Sequence, residues 1–447
     1  MKNWSIGYEI LRYYVRFALW LTHKRIIVTG QHLIPKGKPI IFAANHQNAL
    51  MDSLAVVCTN PNQSVWLARA DIFKSKIARS ILNYMKMLPV YRIRDGKENL
   101  SNNEQIFAQV IQVLEWKETI ALFPEAAHSG RRQMLPHKKA IPRIALEAEK
   151  KNNFGLGLQI VPVGVYYSHY WFFNRNMIVQ YGQSIEVDKY KDAYTDNPQK
   201  AMLSLRDEIH GRIVPLTMHI TSVPFYQDYE NIRQMAGKSY SKANHFSINP
   251  TLQLFYAEKD LIKKLESLEF RYIERFNQLI EKTRSYFSEL QDKNLSDDLI
   301  KKVEKTGWTS FLLRFSGAIC TLPIFITGFL IHAIPFLIPR NMIRKKVKDK
   351  AFMATFNFVI GLLIFPLFYF IEAGLILAIT HSWTVAISAF ILMPFVGKLS
   401  YKLLGFYQGT LHQMRFLTGN YPFRKSLKQL VKQRNDLVDL IIAEVNF

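Results

Sequence analysis

Short apolar runs alternate with amphipathic stretches between residue 25 and about residue 215. Stretches with apolar residues at helical spacing predict helices at 51–59, 72–85, 102–116 and 140–150. Strands that alternate with helices are typical of an α/β domain. We therefore expect residues 25–215 to form one domain, with a mixed sheet flanked by helices. The apolar runs that predict its strands are RIIVTG (25–30), PIIFAA (39–44), TIALFP (119–124), LQIVPVGVYY (158–167) and MIVQYG (177–182).

The pattern changes after this domain. Between residues 252 and 292, leucines and aromatic residues recur at three- and four-residue steps with charged residues between them. This spacing predicts a long amphipathic helix. We therefore expect residues 216–308 to form a helical linker.

Long apolar segments follow the linker, and they predict a helical membrane region at 309–398. A spanning helix needs about 20 apolar residues, and residues 351–396 contain enough for a membrane hairpin. The segment 311–339 contains Pro323, Pro335 and Pro339. Two interpretations of it stay open, namely a re-entrant hairpin broken at Pro323 and a single span.

Residues 1–24 predict an amphipathic helix that lies in the membrane interface. Glu9, Arg12 and Arg16 share a helical face and interrupt the apolar run, and no small-residue cleavage site follows. These features disfavour a signal peptide and fit an interfacial helix. An ordinary helix packed on the first domain is the alternative.

The charge balance indicates an anionic partner. Lys and Arg total 58 against 35 Asp and Glu, which gives a formal net charge of +23. Hydrophobic residues make up 49% and aromatic residues 13% of the chain, which favours a membrane with anionic headgroups over nucleic acid. The segment 340–350 and the tail 399–447 are basic, so the positive-inside rule places both on the cytoplasmic face. We expect an integral membrane protein with its first domain on that face and with no nucleic-acid partner.

The two cysteines carry no visible chemistry. Cys58 and Cys320 lie far apart in apolar surroundings, which fits buried small hydrophobic residues. Neither a disulfide framework nor a zinc spacing is present in the sequence. We therefore expect no metal site.

Polar clusters follow the ends of several predicted strands. NHQNALMD (45–52) comes directly after PIIFAA, and FPEAAHS (123–129) contains the end of TIALFP. Arg92 and Arg94 follow LPVY and lie two positions apart, so they project from the same side of an extended chain and suit a phosphate. The ends of strands are the usual place for chemistry in an α/β fold. The first cluster alone is equally compatible with a helix cap made by Asn45 or Asn48.

In this order, the blocks NHQNALMD, PVYRIR, FPEAAHS and VPVG resemble the four motifs of the glycerophospholipid acyltransferase family, of the lysophosphatidate and glycerol-3-phosphate acyltransferase type. The resemblance covers roughly residues 25–190. It implies an α/β acyltransferase domain that transfers a fatty acyl group from acyl-CoA or an acyl carrier protein to a phosphorylated glycerol acceptor. It implies no cofactor beyond that acyl thioester co-substrate.

The chemistry of this transfer suggests a role for each candidate residue. A neutral His46 suits a general base, and Asp52 can fix its tautomer. Arg92 is the first candidate for the acceptor phosphate and Arg94 the second. The remaining candidates for substrate binding are Asn45, Glu125, His128 and Ser129, and Lys138 and Lys139 are candidates for the phosphates of the donor.

The sequence departs from the family pattern at two places. Five residues separate His46 from Asp52, where four are commoner, although a subgroup with glycerol-3-phosphate acyltransferases is similar in the longer spacing. A regular helix would hold side chains six positions apart at different angles, so we expect His46 in a turn and Asp52 inside the following helix. Ala126 stands where the family has Gly, which questions the shape of that loop.

Two other functions stay open. The chain could be a membrane scaffold or transporter with a degenerate acyltransferase-like domain, for which His46 and Asp52 would be dispensable. It could also be an acyltransferase that acts on another lysolipid. The sequence does not choose between acceptors, nor between acyl-CoA and an acyl carrier protein.

Overall fold

The structure, a computed structural model, describes residues 4–91, 102–171, 173–244, 249–304, 306–347, 350–418 and 424–447. The chain divides into two units by its internal contacts. The first unit, which we call the catalytic unit, comprises Met1–His219 and Pro339–Leu363. The second unit, the helical unit, comprises Ile220–Ile338 and Ile364–Phe447.

A mixed sheet forms the centre of the catalytic unit. Within the described residues its strand order is β1-β7-β6-β2-β5-β3-β4, and β8 pairs with β6. Strand β6 runs antiparallel to β7 and β8, and the other neighbours pair in parallel. The strands are β1 (His23–Thr29), β2 (Ile40–Ala44), β3 (Val65–Arg69), β4 (Met87–Val90), β5 (Thr119–Leu122), β6 (Gln159–Tyr167), β7 (Arg175–Tyr181) and β8 (Ile185–Glu186).

Helices cover both faces of this sheet. The sequence of the central strand β2 is continuously apolar. Ile41 and Ala43 pack in one buried cluster, whereas Ile40, Phe42 and Ala44 pack in the other. Alternate side chains of a strand point to opposite faces, so β2 is buried on both. The mixed α/β fold predicted from the sequence is confirmed. The helices are α1 (Ile6–Thr22), α2 (Leu50–Thr59), α3 (Lys76–Tyr84), α4 (Asn102–Glu115), α5 (Ala140–Lys151), α6 (Lys191–Asp196) and α7 (Pro198–Ile213).

The rest of the chain is helical. The single helix predicted at 252–292 is two helices in the structure, which meet at Tyr272, whose φ of −137° departs from helical geometry. The catalytic unit includes the C-terminal end of α12, residues 339–346, and the N-terminal part of α13, residues 350–363. The helices are α8 (Tyr226–Ala243), α9 (Pro250–Arg271), α10 (Ile273–Asp292), α11 (Asp297–Glu304), α12 (Trp308–Lys346), α13 (Lys350–Thr380), α14 (Trp383–Leu417) and α15 (Arg424–Val445).

Helix α15 packs against α8, α9, α10 and α11 within the helical unit. Leu427, Leu430 and Ile441 are fully buried. The guanidinium of Arg434 pairs with Asp297, at 2.7 Å, and donates to a backbone carbonyl of α8. Residues 216–308 and the end of the chain therefore bury their apolar faces against each other in one bundle. The predicted division into a linker at 216–308 and a basic amphipathic tail at 399–447 stays a prediction.

Among the residues that the structure describes, three helical segments are long and apolar enough to cross a membrane, judged by length and composition: Trp308–Lys346, Phe352–Thr380 and Trp383–Leu417. Helix α12 runs through Pro323 as one continuous helix, so the turn that a re-entrant hairpin needs at that proline is absent from this described segment. Helices α12 and α14 approach closely at two glycines. A Cβ atom at Gly328 would collide with Ser400, and one at Gly397 would collide with His332, which is typical of packing between membrane helices.

Candidate active site

The loop 45–52, which we call the catalytic loop, leaves the C-terminal end of β2 and enters α2. His46 lies in the turn and Asp52 in the first turn of the helix. Ala49, the residue before α2, has a φ of 44°, so the chain turns sharply there. This turn lets two side chains six positions apart face each other, as the spacing in the sequence requires.

His46 and Asp52 form a hydrogen-bonded pair. Nδ1 of His46 lies 3.0 Å from Oδ2 of Asp52, and the same oxygen accepts the backbone N–H groups of Gln47, at 2.8 Å, and Asn48, at 2.7 Å. Asp52 is fully buried, whereas the ring of His46 is 15% exposed. A carboxylate can only accept, so the proton of a neutral His46 lies on Nδ1 and leaves the Nε2 lone pair available as a base.

A buried aromatic ring and a buried cation lie behind Asp52. Tyr167, at the end of β6, is fully buried, and burial together with the charge of Asp52 raises the pKa of its hydroxyl well above the usual value. The guanidinium of Arg175 lies over the Tyr167 ring at 4.6 Å. This guanidinium also interacts electrostatically with the carboxylate of Asp52. The sequence analysis missed both residues, because neither lies in a polar cluster along the chain.

Glu125 connects the catalytic loop to the loop after β5. Its Oε1 accepts the backbone N–H of His46 and its Oε2 accepts that of Leu135, each at 2.7 Å. Burial raises the pKa of Glu125 to about 8, against the two backbone hydrogen bonds, which lower it. Two further bonds join the loops, from Ser129 N–H to His46 O at 3.2 Å and from Gly130 N–H to Gln47 O at 3.1 Å. Glu125 therefore holds the backbone of His46 in place.

Aromatic rings enclose the imidazole of His46. The ring of Phe123 stacks on it with centroids 3.9 Å apart, and His128 meets it edge-on at 5.7 Å. Phe352 contacts His128 in turn, at 4.7 Å. Phe352 lies on α13, more than 200 positions along the chain, so no sequence motif could have linked it to this site.

Asn45 has a structural place in the catalytic loop. It is fully buried. Its side-chain amide donates to the carbonyl of Val165, at 3.0 Å, and its side-chain oxygen accepts the Val165 N–H, at 2.6 Å. These bonds continue the pairing of β2 with β6 past the end of the strand. The structure therefore uses both polar ends of Asn45 within the protein, and its predicted contact with substrate stays a prediction.

Three further predicted residues, Ser129, Lys138 and Lys139, lie within the described part of the chain. The Ser129 hydroxyl accepts the N–H of Arg131, at 3.2 Å, and donates to its carbonyl, at 2.9 Å. Lys138 and Lys139 are exposed, and Nζ of Lys139 lies 3.2 Å from the side-chain oxygen of Gln199. Arg92 and Arg94 lie outside the described residues. The roles predicted for all these side chains stay predictions.

Ala126, which stands where the family has Gly, adopts a backbone conformation that Gly adopts readily. Its φ is 58°, in the left-handed region that Gly adopts most readily. The residue is exposed, so its Cβ has room. The loop therefore adopts this conformation with Ala, at the cost of some backbone strain.

Among the residues that the structure describes, no group of three or more His, Cys, Asp or Glu side chains is arranged to hold a metal ion. The site brings the imidazole of His46 within hydrogen-bond distance of the carboxylate of Asp52. The expectation that the site uses no metal stays a prediction.

Comparisons with known proteins agree with this geometry. Residues 25–166 match the family model described as Acyltransferase. The chain is similar to glycerol-3-phosphate O-acyltransferase 1 of Saccharomyces cerevisiae, with 23% identity over 373 residues. That alignment covers 76% of this chain and 47% of the yeast protein, so the chain spans about half the length of this relative.

Two bacterial proteins are similar over a shorter part. The 1-acyl-sn-glycerol-3-phosphate acyltransferase of Borreliella burgdorferi is 26% identical over 182 residues, which cover 41% of this chain and 67% of that protein. Among solved structures, the 1-acyl-sn-glycerophosphate acyltransferase PlsC of Thermotoga maritima matches with 18% identity and a TM-score of 0.34. It covers 46% of this chain and 78% of that chain.

Proposed function

Since residues 25–166 form a domain of the acyltransferase family, we propose that this chain is a membrane-bound O-acyltransferase of phospholipid synthesis. It moves a fatty acyl group from a thioester donor to a hydroxyl group of a glycerol-phosphate acceptor. The observation that carries the proposal is the 3.0 Å pair of His46 and Asp52 at the end of β2, where Nε2 of His46 can act as a base.

The reaction needs only one proton carrier. Nε2 of His46 takes the proton of the acceptor hydroxyl while its oxygen attacks the thioester carbonyl. The tetrahedral intermediate collapses, the carbon–sulfur bond breaks and the thiolate leaves with the electron pair. The imidazolium then returns its proton to the thiolate, and Asp52 stabilises that imidazolium while it exists. The acceptor hydroxyl is the nucleophile, so no acyl-enzyme forms.

The names of the relatives support two acceptors. The yeast relative is named for glycerol 3-phosphate and the Borreliella relative for 1-acyl-sn-glycerol 3-phosphate. Both acceptors carry a phosphate group, for which Arg92 is the first candidate and Arg94 the second. The donor is acyl-CoA or an acyl carrier protein, and the enzyme needs no further cofactor.

We propose further that the catalytic unit acts on the cytoplasmic face of a membrane with anionic headgroups. The apolar helices support membrane association. The described basic residues Arg340, Arg344, Lys345 and Lys346 support the orientation by the positive-inside rule. Single cysteines at Val347 and Lys428, in a background without Cys58 and Cys320, should both resist labelling from outside intact cells. Labelling at either position would contradict this orientation.

The direct test of the function is acyl transfer by purified protein in detergent. The protein is offered labelled acyl-CoA or acyl carrier protein with glycerol 3-phosphate, 1-acylglycerol 3-phosphate or another lysolipid. We expect transfer to a phosphorylated glycerol acceptor, with the His46→Ala variant as the inactive control. Transfer only to a lysolipid without that phosphate would overturn the proposed acceptor. Binding of lipid without transfer to any acceptor would support the scaffold or transporter function instead.

A further inference from the structure

Helix α1 carries apolar residues on two opposite faces. Tyr8, Val15 and Leu19 are buried and attach the helix to the catalytic unit. The opposite face is also apolar. Its residues recur at alternating steps of four and three, so they share one side of the helix. These residues are Ile6, Ile10, Tyr13, Phe17 and Trp20, and their exposed fractions lie between 38% and 67%. A helix that is apolar on both faces is typical of burial on both.

Helix α3 repeats this arrangement over a shorter length. Ile77, Ile81 and Tyr84 share one face and are more than half exposed. The other side of the helix carries Lys76, Arg79 and Asn83. No residue of α3 is buried, although all nine of its residues are described. Protein packing therefore does not account for its strong separation of apolar from polar residues.

The two apolar faces meet. The hydroxyl of Tyr84, in the last turn of α3, lies so close to Gly7 of α1 that a Cβ atom at Gly7 would collide with it. The two helices therefore approach each other at Gly7 and Tyr84, and we call their exposed apolar residues together the α1–α3 face. It consists of Ile6, Ile10, Tyr13, Phe17, Trp20, Ile77, Ile81 and Tyr84.

The charges beside this face are basic. Arg16 on α1 and Lys74, just before α3, are exposed, and Lys76 and Arg79 are exposed on the polar side of α3. The nearby acidic residues are already paired, Glu9 with Arg12 at 2.6 Å and Asp71 with Arg69. Helix α3 itself contains no Asp or Glu. Within the part of the chain that the structure describes, the positive charge at the edge of the face is therefore not neutralised by the acidic residues Glu9 and Asp71.

We propose that the α1–α3 face docks on an anionic lipid bilayer, with its apolar side chains among the acyl chains and the basic residues at the headgroups. Trp and Tyr favour the boundary between headgroups and hydrocarbon. Basic residues near an anionic membrane surface are attracted to its headgroups. An apolar face with a basic edge suits such a surface better than the interface of a second protein, whose centre would be short of charge on both sides. The role of α3 goes beyond the proposed function and beyond the apolar helices α12, α13 and α14.

This contact has a consequence for the proposed reaction. Helix α2 packs beside α1 in the same unit and carries Asp52. A catalytic unit that docks through α1 and α3 is held at the level of the headgroups, where an acylglycerol phosphate presents its hydroxyl group. The α1–α3 face would therefore bring the site to its lipid substrate independently of the spanning helices.

The test measures the depth of single residues in a bilayer. Full-length protein without Cys58 and Cys320 is placed in nanodiscs of phosphatidylcholine and phosphatidylglycerol, and a spin label is attached at Tyr13→Cys, Ile77→Cys or Ile81→Cys. Asn83→Cys, on the polar side of α3, and Ala193→Cys, on exposed α6, are the matched controls. Accessibility to oxygen, which concentrates in lipid, is compared with accessibility to a water-soluble nickel chelate.

We expect the labels at 13, 77 and 81 to be more accessible to oxygen, and those at 83 and 193 to the nickel chelate. Labels at 77 and 81 that behave like the label at 193 would show that α3 faces water and would overturn the proposal. Protection from both reagents would show that protein covers the face, and would overturn it equally. In nanodiscs of phosphatidylcholine alone, the labels at 77 and 81 should become more accessible to the chelate, and unchanged accessibility would overturn the requirement for anionic lipid.

This measurement reports position and not turnover. The proposed acyl transfer can therefore fail while the docking succeeds, and the docking can fail in a protein that transfers acyl groups. A second set of variants separates lipid contact from folding. Ile77→Glu with Ile81→Glu should move the label at Tyr13→Cys towards water, whereas Asn83→Glu, which adds a charge on the polar side of the same helix, should leave it in place.

Discussion

The catalytic loop and the α1–α3 face both reverse the usual distribution of side chains, but in opposite senses. The catalytic loop buries Asn45, Gln47, Asn48 and Asp52, whereas the α1–α3 face exposes isoleucines and aromatic rings. Buried polar groups and exposed apolar patches are the two exceptions that carry information about function. The same unit of the protein contains both.

Burying polar groups and exposing apolar groups both cost free energy, and the two regions differ in how this cost is offset. In the catalytic loop, the protein itself supplies part of the compensation, because Oδ2 of Asp52 accepts three hydrogen bonds and Glu125 accepts two. The buried side-chain amide of Asn48 has no hydrogen-bond partner among the described residues. On the α1–α3 face, the compensation has to come from a partner outside the described chain. The comparison therefore separates a region shaped by its internal geometry from a region shaped by its surroundings.

The largest effect is expected for His46→Ala. The variant removes the only imidazole that is hydrogen-bonded to a buried carboxylate in the catalytic loop, and loss of a general base costs about 10²–10⁴-fold in rate. We expect kcat for acyl transfer to be lost, while the protein still folds and inserts into the membrane. Turnover is measured by acyl transfer and folding by thermal unfolding. A wild-type rate would end the proposed mechanism.

Asp52→Asn should lose less than His46→Ala. The single side-chain oxygen of Asn can still accept the N–H groups of Gln47 and Asn48, but its amide favours the wrong tautomer of His46. We expect kcat to fall to an intermediate value, measured in the same assay. A loss as large as that of His46→Ala would show that Asp52 does more than orient the ring.

Glu125→Gln should reduce kcat by about tenfold, since a buried donor that loses its acceptor costs about 1–3 kcal/mol. Gln has one acceptor oxygen for the two N–H groups of His46 and Leu135, so its amide must face one of those donors. We expect KM to stay near that of the wild type, because Glu125 positions His46. Glu147→Gln, at a surface carboxylate paired with Arg143, is the control. A rise in KM for the acceptor alone would indicate direct contact of Glu125 with substrate.

The same variant has a stability signature. Burial raises the pKa of Glu125 from 4.5 to about 8, so the folded protein binds its proton more tightly than the unfolded chain. The stability from this group is complete below its unfolded pKa and is lost as the pH rises through its folded pKa. The wild type should therefore lose stability relative to Glu125→Gln as the pH is raised from 4.5 to 8. A constant difference in Tm across this range would contradict the raised pKa.

The smallest effect is expected on the α1–α3 face. Ile77→Ala should change the free energy of unfolding in detergent by less than about 0.5 kcal/mol, because an exposed side chain contributes little to the core. Ile120→Ala, at a fully buried position of β5, should cost about 2–5 kcal/mol. Equal losses for both variants would show that Ile77 belongs to the core and would remove the contrast between the two regions.

Local patterns were enough to predict the mixed sheet and the pair of His46 and Asp52, because both depend on residues close together along the chain. The strand β3 was not predicted, since Trp66 and Arg69 obscure its apolar pattern. Tyr167, Arg175 and Phe352 were missed at the site for a different reason. Each reaches the site only through tertiary packing, and no spacing in the sequence connects it to His46.

The packing of α15 has a consequence for the number of membrane crossings. Helices α8 to α11 precede the apolar helices and α15 follows them, yet all five pack in one bundle. A chain that leaves such a bundle for the bilayer and returns to it must cross an even number of times. Three full crossings, one for each apolar helix, would leave α15 on the side of the membrane opposite its partners. An even number of crossings therefore allows two of the three apolar helices to cross completely, while the third ends on the side where it began.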